Sequence, residues 1–239
     1  MKSLLALWLS LVTGLATAQV GPSAAQAAAY AGLHAAAWRG DAAAVAGSDR
    51  AAVDARDGHG RTPLHVATFA RRHEVIRALA RAGADLGALE DDRYDAVTIA
   101  AVADDEATLA VLLELGADAG LTTSRYDGTA LIAAAHLGHD GIVRQLIAAG
   151  APLDHVNNLH WTALIEAVVL GDGGPRHQRV VQDLLAAGAD AQLPDREGRT
   201  PMTLARARGY APMVRQFEAA ASPRVRQRPV ARESVRGDD

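Results

Sequence analysis

Apolar residues recur along the chain in stripes spaced i, i+1, i+4 and i+5, a spacing that places their side chains on one face of a helix. Four such stripes occupy the central part of the chain. Each predicts an amphipathic helix that buries one face against a neighbouring element. The stripes are Val75, Ile76, Leu79 and Ala80; Thr108, Leu109, Leu112 and Leu113; Ile142, Val143, Leu146 and Ile147; and Val180, Val181, Leu184 and Leu185.

A second pattern, an apolar anchor followed by small residues, occurs six times. Neighbouring anchors are separated by 31, 33, 34, 33 and 38 residues, and a Gly-Ala-Asp or Gly-Ala-Pro tripeptide returns at nearly the same spacing. A period near 33 is typical of a solenoid, in which each unit buries its apolar face only by stacking on the next. The anchors are Leu33, Leu64, Val97, Leu131, Leu164 and Met202.

Residues 57–90 form the most regular copy of this pattern. Asp57-Gly58-His59-Gly60 has the composition of a tight turn. Thr62 then predicts a helix N-cap, with Pro63 at the first helical position, where the missing N–H costs nothing. Gly83 predicts the end of a second helix through a left-handed cap. Each repeat is therefore predicted to be a turn followed by two helices.

The segments Gly60-Arg61-Thr62-Pro63-Leu64-His65-Val66-Ala67 and Gly138-His139-Asp140-Gly141-Ile142-Val143, with the Gly-Ala-Asp endings, resemble the ankyrin repeat. The resemblance covers about residues 30–221. It implies an all-α solenoid of about six antiparallel helix pairs with protruding β-turns, a usual role in binding other proteins, and no catalytic residue. More narrowly, the chain resembles exported bacterial ankyrin-repeat proteins, some of which support periplasmic enzymes such as catalase. The predicted repeats are 30–56, 57–90, 91–123, 124–156, 157–194 and 195–221.

The two ends of the chain differ from the repeats. Residues 1–18 have a positive start, an apolar run of twelve and small residues before Gln19, which predicts a signal peptide cleaved after Ala18. That run is too short to cross a bilayer, so we expect no membrane attachment after cleavage. Residues 19–29 are predicted to be a linker, and the Arg-rich segment 222–239 a disordered tail. In a bacterial cell these features indicate a periplasmic or secreted protein.

Composition removes several classes of function. The net charge is −4, so we expect no general attraction to nucleic acid. The chain has no Cys, which excludes a thiolate nucleophile and a zinc-thiolate site.

His136 and His139 have a spacing that could bind a metal. The resemblance, however, implies that His139 is a structural hydrogen-bonding residue, and it implies the same for His34 and His65. No catalytic acid–base pair or phosphate loop is recognisable, and we expect no cofactor.

The predicted turn tips hold the residue types that dominate protein interfaces, Tyr, Trp and Arg. Alanine substitution of Tyr94, Tyr126 and Trp161 is expected to weaken partner binding with little loss of stability. The alternative, that these side chains pack on the next turn, remains open. The candidate partner-binding residues are Arg93, Tyr94, Arg125, Tyr126, His160, Trp161 and Arg196.

The segment 171–178 lengthens the fifth repeat by five residues between its helices. Its three Gly and one Pro interrupt helical structure, which predicts a loop projecting from the edge opposite the turn tips. Asp172, Arg176 and His177 are its candidate functional residues. A harmless insertion is the open alternative.

These features together predict an exported, monomeric, non-catalytic protein that binds a protein partner. The first hypothesis is a periplasmic scaffold or accessory factor for another enzyme. The alternative is an inhibitor or immunity protein that blocks a toxin. A hydrolase or metal carrier built on the solenoid is a third possibility.

Overall fold

The computed structural model describes residues 21–221, which form thirteen α-helices and one short 3₁₀ segment. The predicted signal peptide and tail lie outside the described residues. Within 21–221 no helix combines the length and apolarity that crossing a bilayer requires. The helices are α1 Ala24–Ala29, α2 Gly32–Arg39, α3 Arg50–Val53, α4 Pro63–Phe69, α5 His73–Arg81, α6 Ala96–Val102, α7 Glu106–Glu114, α8 Ala130–Leu137, α9 Asp140–Ala148, α10 Ala163–Val169, α11 Pro175–Ala187, α12 Pro201–Ala207 and α13 Ala211–Ala221.

The helices form two layers that stack in series. The inner layer runs α2, α4, α6, α8, α10 and α12, and each of these helices contacts the next. From the second repeat onward the outer layer runs α5, α7, α9, α11 and α13 with the same nearest-neighbour contacts. In the first repeat the outer layer is only the 3₁₀ segment Ala43–Val45 followed by the four-residue α3. The predicted α-solenoid is therefore confirmed.

The apolar stripes supply the interface between neighbouring repeats. In each of the four stripes the residues at i, i+1 and i+4 are buried, while the residue at i+5 is half-buried. The four central anchors, Leu64, Val97, Leu131 and Leu164, are also buried, whereas Leu33 and Met202 at the two ends are half-buried. The first and last repeats each have only one neighbouring repeat, so their anchor residues are covered on one side instead of two.

Polar side chains begin the inner helices as the sequence predicts. Asp95 accepts the backbone N–H of Thr98, and Thr162 accepts that of Ile165. Thr129 and Thr200 cap their helices in the same way. These bonds satisfy donors at the helix N-terminus that have no partner within the helix.

The predicted linker 19–29 contains a helix, α1, at Ala24–Ala29. Ser23 and Gln26 form a reciprocal capping box at its start, and the remaining helical residues are alanine, the best helix former. Just beyond this helix, the hydroxyl of Tyr30 donates to Asp57 Oδ2 at 2.9 Å. The helix is therefore anchored to the first regular repeat.

Replacing Leu112 by Ala is expected to lower the free energy of unfolding by about 2–5 kcal/mol, because the side chain is completely buried between repeats. Equilibrium urea denaturation followed by circular dichroism measures the change. Val156, which is 42% exposed, provides the control. Val156→Ala should change stability by no more than about 0.5 kcal/mol. Equal effects of the two substitutions would contradict the assignment of Leu112 to the core.

Candidate binding groove

Five turns project beside the inner helices and are called the fingers here: residues 57–61, 90–94, 123–128, 157–161 and 195–199. In each finger the backbone N–H of the first residue donates to the carbonyl of the last, at 2.7–3.1 Å. Four consecutive fingers are joined by backbone bonds. Asp91 donates to the carbonyl of His59, Ser124 to that of Arg93, and Asn158 to that of Tyr126. The fingers therefore form a hydrogen-bonded row with a fixed spacing.

Two of the aromatic residues predicted at the finger tips lie in the interior instead. Tyr94 is 9% exposed and Trp161 is 8% exposed, and Trp161 belongs to the apolar core. Each directly precedes the residue that caps an inner helix, Asp95 or Thr162, and this position directs its side chain inward. Both rings are therefore packed within the solenoid, as in the open alternative, rather than displayed at the tips. Because large buried side chains are costly to remove, we expect their substitution to lower stability, contrary to the sequence-based prediction.

The other predicted tip residues lie near the surface. Arg93, Arg125, His160 and Arg196 are exposed, and Tyr126 is half-buried. Their role in partner binding stays a prediction.

The exposed tip arginines also connect neighbouring fingers. Arg125 pairs with Asp92 at 2.9 Å, and Arg93 approaches Asp127 at 3.8 Å. The Arg196 guanidinium donates to the carbonyl of Asn158 at 3.0 Å. Exposed ion pairs of this kind contribute little stability, but they restrict the side chains to directions along the row.

The predicted projecting loop at 171–178 is also wrong, because most of the segment packs on its neighbours. Helix α11 begins at Pro175, and His177 is buried. The His177 ring contacts Asp172 Oδ1 through Nδ1 and the carbonyl of His136 through Nε2, both at 2.9 Å. The hydroxyl of Tyr210 donates to the Gly171 carbonyl at 2.9 Å. Gly171 and His177 thus contact the repeats on the two sides of the segment.

Arg176 connects three repeats at the edge opposite the fingers. Its guanidinium contacts Asp104 Oδ2 at 2.8 Å and Asp140 Oδ1 at 3.3 Å. Arg179 and Arg144 contact the same Asp140 carboxylate at 2.7 and 3.1 Å. The hydrogen bond from Arg179, reinforced by those from Arg144 and Arg176, holds the pKa of Asp140 well below its usual range. We name this set of Asp104, Asp140, Arg144, Arg176 and Arg179 the outer clasp.

A groove lies between the fingers and the inner helices α6, α8 and α10. The space in it that the centres of water molecules can occupy is about 70 Å³, and the groove is partly open to solvent. Its walls combine apolar side chains with hydroxyl groups, and its lining reaches across three repeats. The lining residues include Val102, Ser124, Tyr126, Ile132, Ala133, His136, Leu137, Asn157, Leu159 and Glu166.

Glu166 of α10 places a carboxyl group in this groove although it is only 4% exposed. Its Oε1 accepts a hydrogen bond of 2.9 Å from the Asn157 side chain. Its Oε2 has no hydrogen-bond partner and lies 3.6 Å from His136 Nδ1. Burial outweighs the bond from Asn157 and raises the pKa of Glu166 to about 8, while burial lowers the pKa of His136 to about 4. Both side chains are therefore neutral near pH 7.

Sequence reasoning missed Glu166, although the sequence contains a signal. The corresponding residues of the second, third and fourth repeats are Val66, Ile99 and Ala133, so an acidic residue interrupts an apolar series. A repeat-by-repeat comparison of this position would have identified it.

The histidines that suggested a metal site are used mostly to connect repeats. His139 Nδ1 donates to the carbonyl of Ala101 at 2.9 Å, and His34 and His65 make the same kind of bond to Arg61 and Tyr94. Among residues 21–221, no three His, Asp or Glu side chains come together in a way that could hold a metal ion.

Comparison with known proteins places the chain in a family. The model for ankyrin repeats (3 copies) matches residues 33–123 and 97–195. The putative ankyrin repeat protein YahD of Escherichia coli (strain K12) is 34% identical over 171 residues, which are 71% of this chain and 85% of YahD. The chain therefore belongs to the ankyrin-repeat family, whose repeats generally mediate protein–protein interaction and are generally non-catalytic.

Solved structures of ankyrin-repeat proteins share this architecture. An ankyrin repeat domain from Acinetobacter baumannii AYE superposes with a TM-score of 0.73 at 41% identity, covering 79% of this chain and 96% of that one. The ankyrin repeat protein EF0377 superposes with a TM-score of 0.70 at 31% identity, covering 78% of this chain and 96% of the other.

Replacing Trp161 by Ala is expected to lower the free energy of unfolding by about 3–5 kcal/mol, because the substitution removes a large buried ring. Arg125→Ala, in the neighbouring finger, breaks only an exposed ion pair and should cost less than about 1 kcal/mol. Urea denaturation of both variants tests the distinction. If the Trp161→Ala protein were as stable as the wild type, the assignment of Trp161 to the core would be wrong.

Proposed function

We propose that this protein is an exported, non-catalytic accessory factor that binds another protein in the groove between its fingers and inner helices. The groove itself is the main observation in support. It combines apolar walls with polar groups, and its lining draws on three repeats. Pockets with these properties are preferred binding sites on proteins.

The rigidity of the fingers supports the same proposal. Backbone bonds join four of the five fingers, and the Arg125–Asp92 pair adds a side-chain contact. A surface held in one conformation before binding loses less conformational entropy when a partner docks. The groove is therefore suited to capture a folded partner or an extended segment of one.

Site-directed photo-crosslinking tests the location of binding. A photoreactive amino acid at Ser124 or Leu159, both half-buried in the groove, is expected to produce a discrete adduct with a protein from extracts of the producing cell. The same amino acid at Arg81 or Glu114, exposed on the outer helices, should not. Unlabelled wild-type protein in excess should suppress the adduct. Adducts that form equally from both faces would refute a groove-specific function.

Identification of the cross-linked partner also separates the finer roles. An accessory factor should raise or preserve the activity of that partner when the purified proteins are mixed. A fall in activity would favour the inhibitor hypothesis instead.

Export makes a separate prediction. If residues 1–18 are a cleaved signal, protein recovered from the periplasm or medium should begin at Gln19. N-terminal sequencing of that material measures this directly. A charged substitution in the apolar run, such as Leu11→Asp, should leave the full-length chain in the cytosol. Wild-type protein found only in the cytosol with Met1 retained would contradict export.

A further inference from the structure

The groove contains one buried carboxyl oxygen that makes no hydrogen bond within the protein. This oxygen is Glu166 Oε2. A buried polar group without a hydrogen bond is unfavourable for the folded protein. A ligand that donates a hydrogen bond to this oxygen would satisfy it, and this bond would contribute to the binding affinity.

The surroundings of this oxygen favour a long side chain with a cationic end. Val102, Leu137 and Leu159 line the groove and can cover the methylene groups of such a side chain, and the ring of Tyr126 can face a planar cation. Residues 21–221 contain 25 Asp and Glu against 18 Arg, so the overall field also attracts a positive group.

Arginine fits these conditions better than lysine. Its guanidinium is more weakly hydrated than an ammonium group, so less hydration is lost in a groove with apolar walls. Its parallel N–H groups match the two oxygens of a carboxylate. It also remains charged at every pH at which the protein is folded.

Building on the proposed binding role of this groove, we propose that it accepts one arginine side chain of the partner protein, whose guanidinium donates hydrogen bonds to the Glu166 carboxylate. Because Oε2 is shielded from solvent in the free protein, a neighbouring side chain has to move as the arginine enters. His136 is a candidate for this movement, since its ring is 20% exposed and lies 3.6 Å from the oxygen.

Binding of this kind is coupled to release of a proton. The arginine binds the ionised carboxylate, whereas burial raises the pKa of Glu166 to about 8 in the free protein. The affinity should therefore rise by about tenfold per pH unit between about pH 6 and pH 8, and level off above that.

Two neighbouring titratable groups keep the same charge over this range. His136, with its pKa lowered to about 4, stays neutral over that range, as does Tyr94 across the groove, whose pKa is raised by burial. The His177 ring of α11 faces the His136 carbonyl. On α12, Arg206 is paired with Glu218 at 2.7 Å.

Short peptides provide the probe. Acetyl-Gly-Arg-Gly-amide is titrated into the full chain at pH 8 while the methyl NMR signals of groove residues Val102, Ile132, Leu137 and Leu159 are followed. We expect saturable shifts of these signals. The citrulline peptide, which has the same shape without the charge, should bind at least about tenfold more weakly, and so should the lysine peptide. A lysine peptide that binds as tightly as the arginine peptide would overturn the assignment of arginine.

Glu166→Gln keeps the size of the side chain and removes its charge, and it should weaken binding of the arginine peptide by about tenfold or more. Asp127→Asn is the matched control, because it removes the same charge from an exposed finger position that does not line the groove. It should leave binding unchanged. Equal losses in the two variants would mean that only general electrostatic attraction is present, and would overturn the proposal.

The pH series needs no variant, so it can overturn the proposal even if Glu166→Gln fails to fold. Affinity for the arginine peptide that does not change between pH 6 and pH 8 would overturn the proposal. If the arginine peptide does not bind but Ser124 and Leu159 still cross-link to a partner, the arginine site alone is wrong. If both experiments fail, the groove is not the binding surface.

Discussion

Apolar contact between neighbouring repeats is the interaction on which this molecule depends. No helix pair has enough surface of its own to bury its stripe, so each repeat is stable only against the next. In all four stripes the residues at i, i+1 and i+4 are buried, which shows that one interface is repeated along the chain. Regular stacking brings the fingers into one row and the inner helices into one wall. The groove is a consequence of that regularity.

Polar contacts fix the orientation of each repeat relative to its neighbour. The rings of His34, His65 and His139 each bond a backbone carbonyl of a neighbouring repeat, and this fixes how successive repeats are placed relative to each other. Glu166 is different, because it occupies a position where other repeats have apolar residues and leaves one oxygen unsatisfied. Such a departure from local consistency is more typical of a functional position than of a structural one.

The sequence predicted most of the fold because the relevant signals are local and repeated. The stripes identified the outer helices, and Thr129, Thr162 and Thr200 identified the starts of three inner helices. The finger tips were less predictable. Tyr94 and Trp161 occupy a turn in the sequence, but their burial depends on an inner helix beside them, which no local pattern reveals. The groove could not be located either, since it is formed by residues about 33 positions apart.

The inserted segment shows the same difficulty. Its Gly and Pro content correctly indicated a break between helices but gave no information about what the segment contacts. Gly171 explains the difference. A Cβ atom at that residue would lie 2.1 Å from the carbonyl oxygen of Ala167 and 2.6 Å from the His177 ring. Glycine here permits close packing rather than a flexible excursion.

The outer clasp has a mechanical consequence for the opposite edge of the molecule. The guanidinium of Arg176 pairs with both Asp104 and Asp140. These ion pairs connect the third, fourth and fifth repeats at the edge opposite their fingers. Separation of these repeats at that edge would lengthen the two ion pairs. Arg176 and Arg179 are about half exposed, so dissolved salt screens the attraction. Higher ionic strength therefore weakens this connection between the third, fourth and fifth repeats, at an edge far from the fingers.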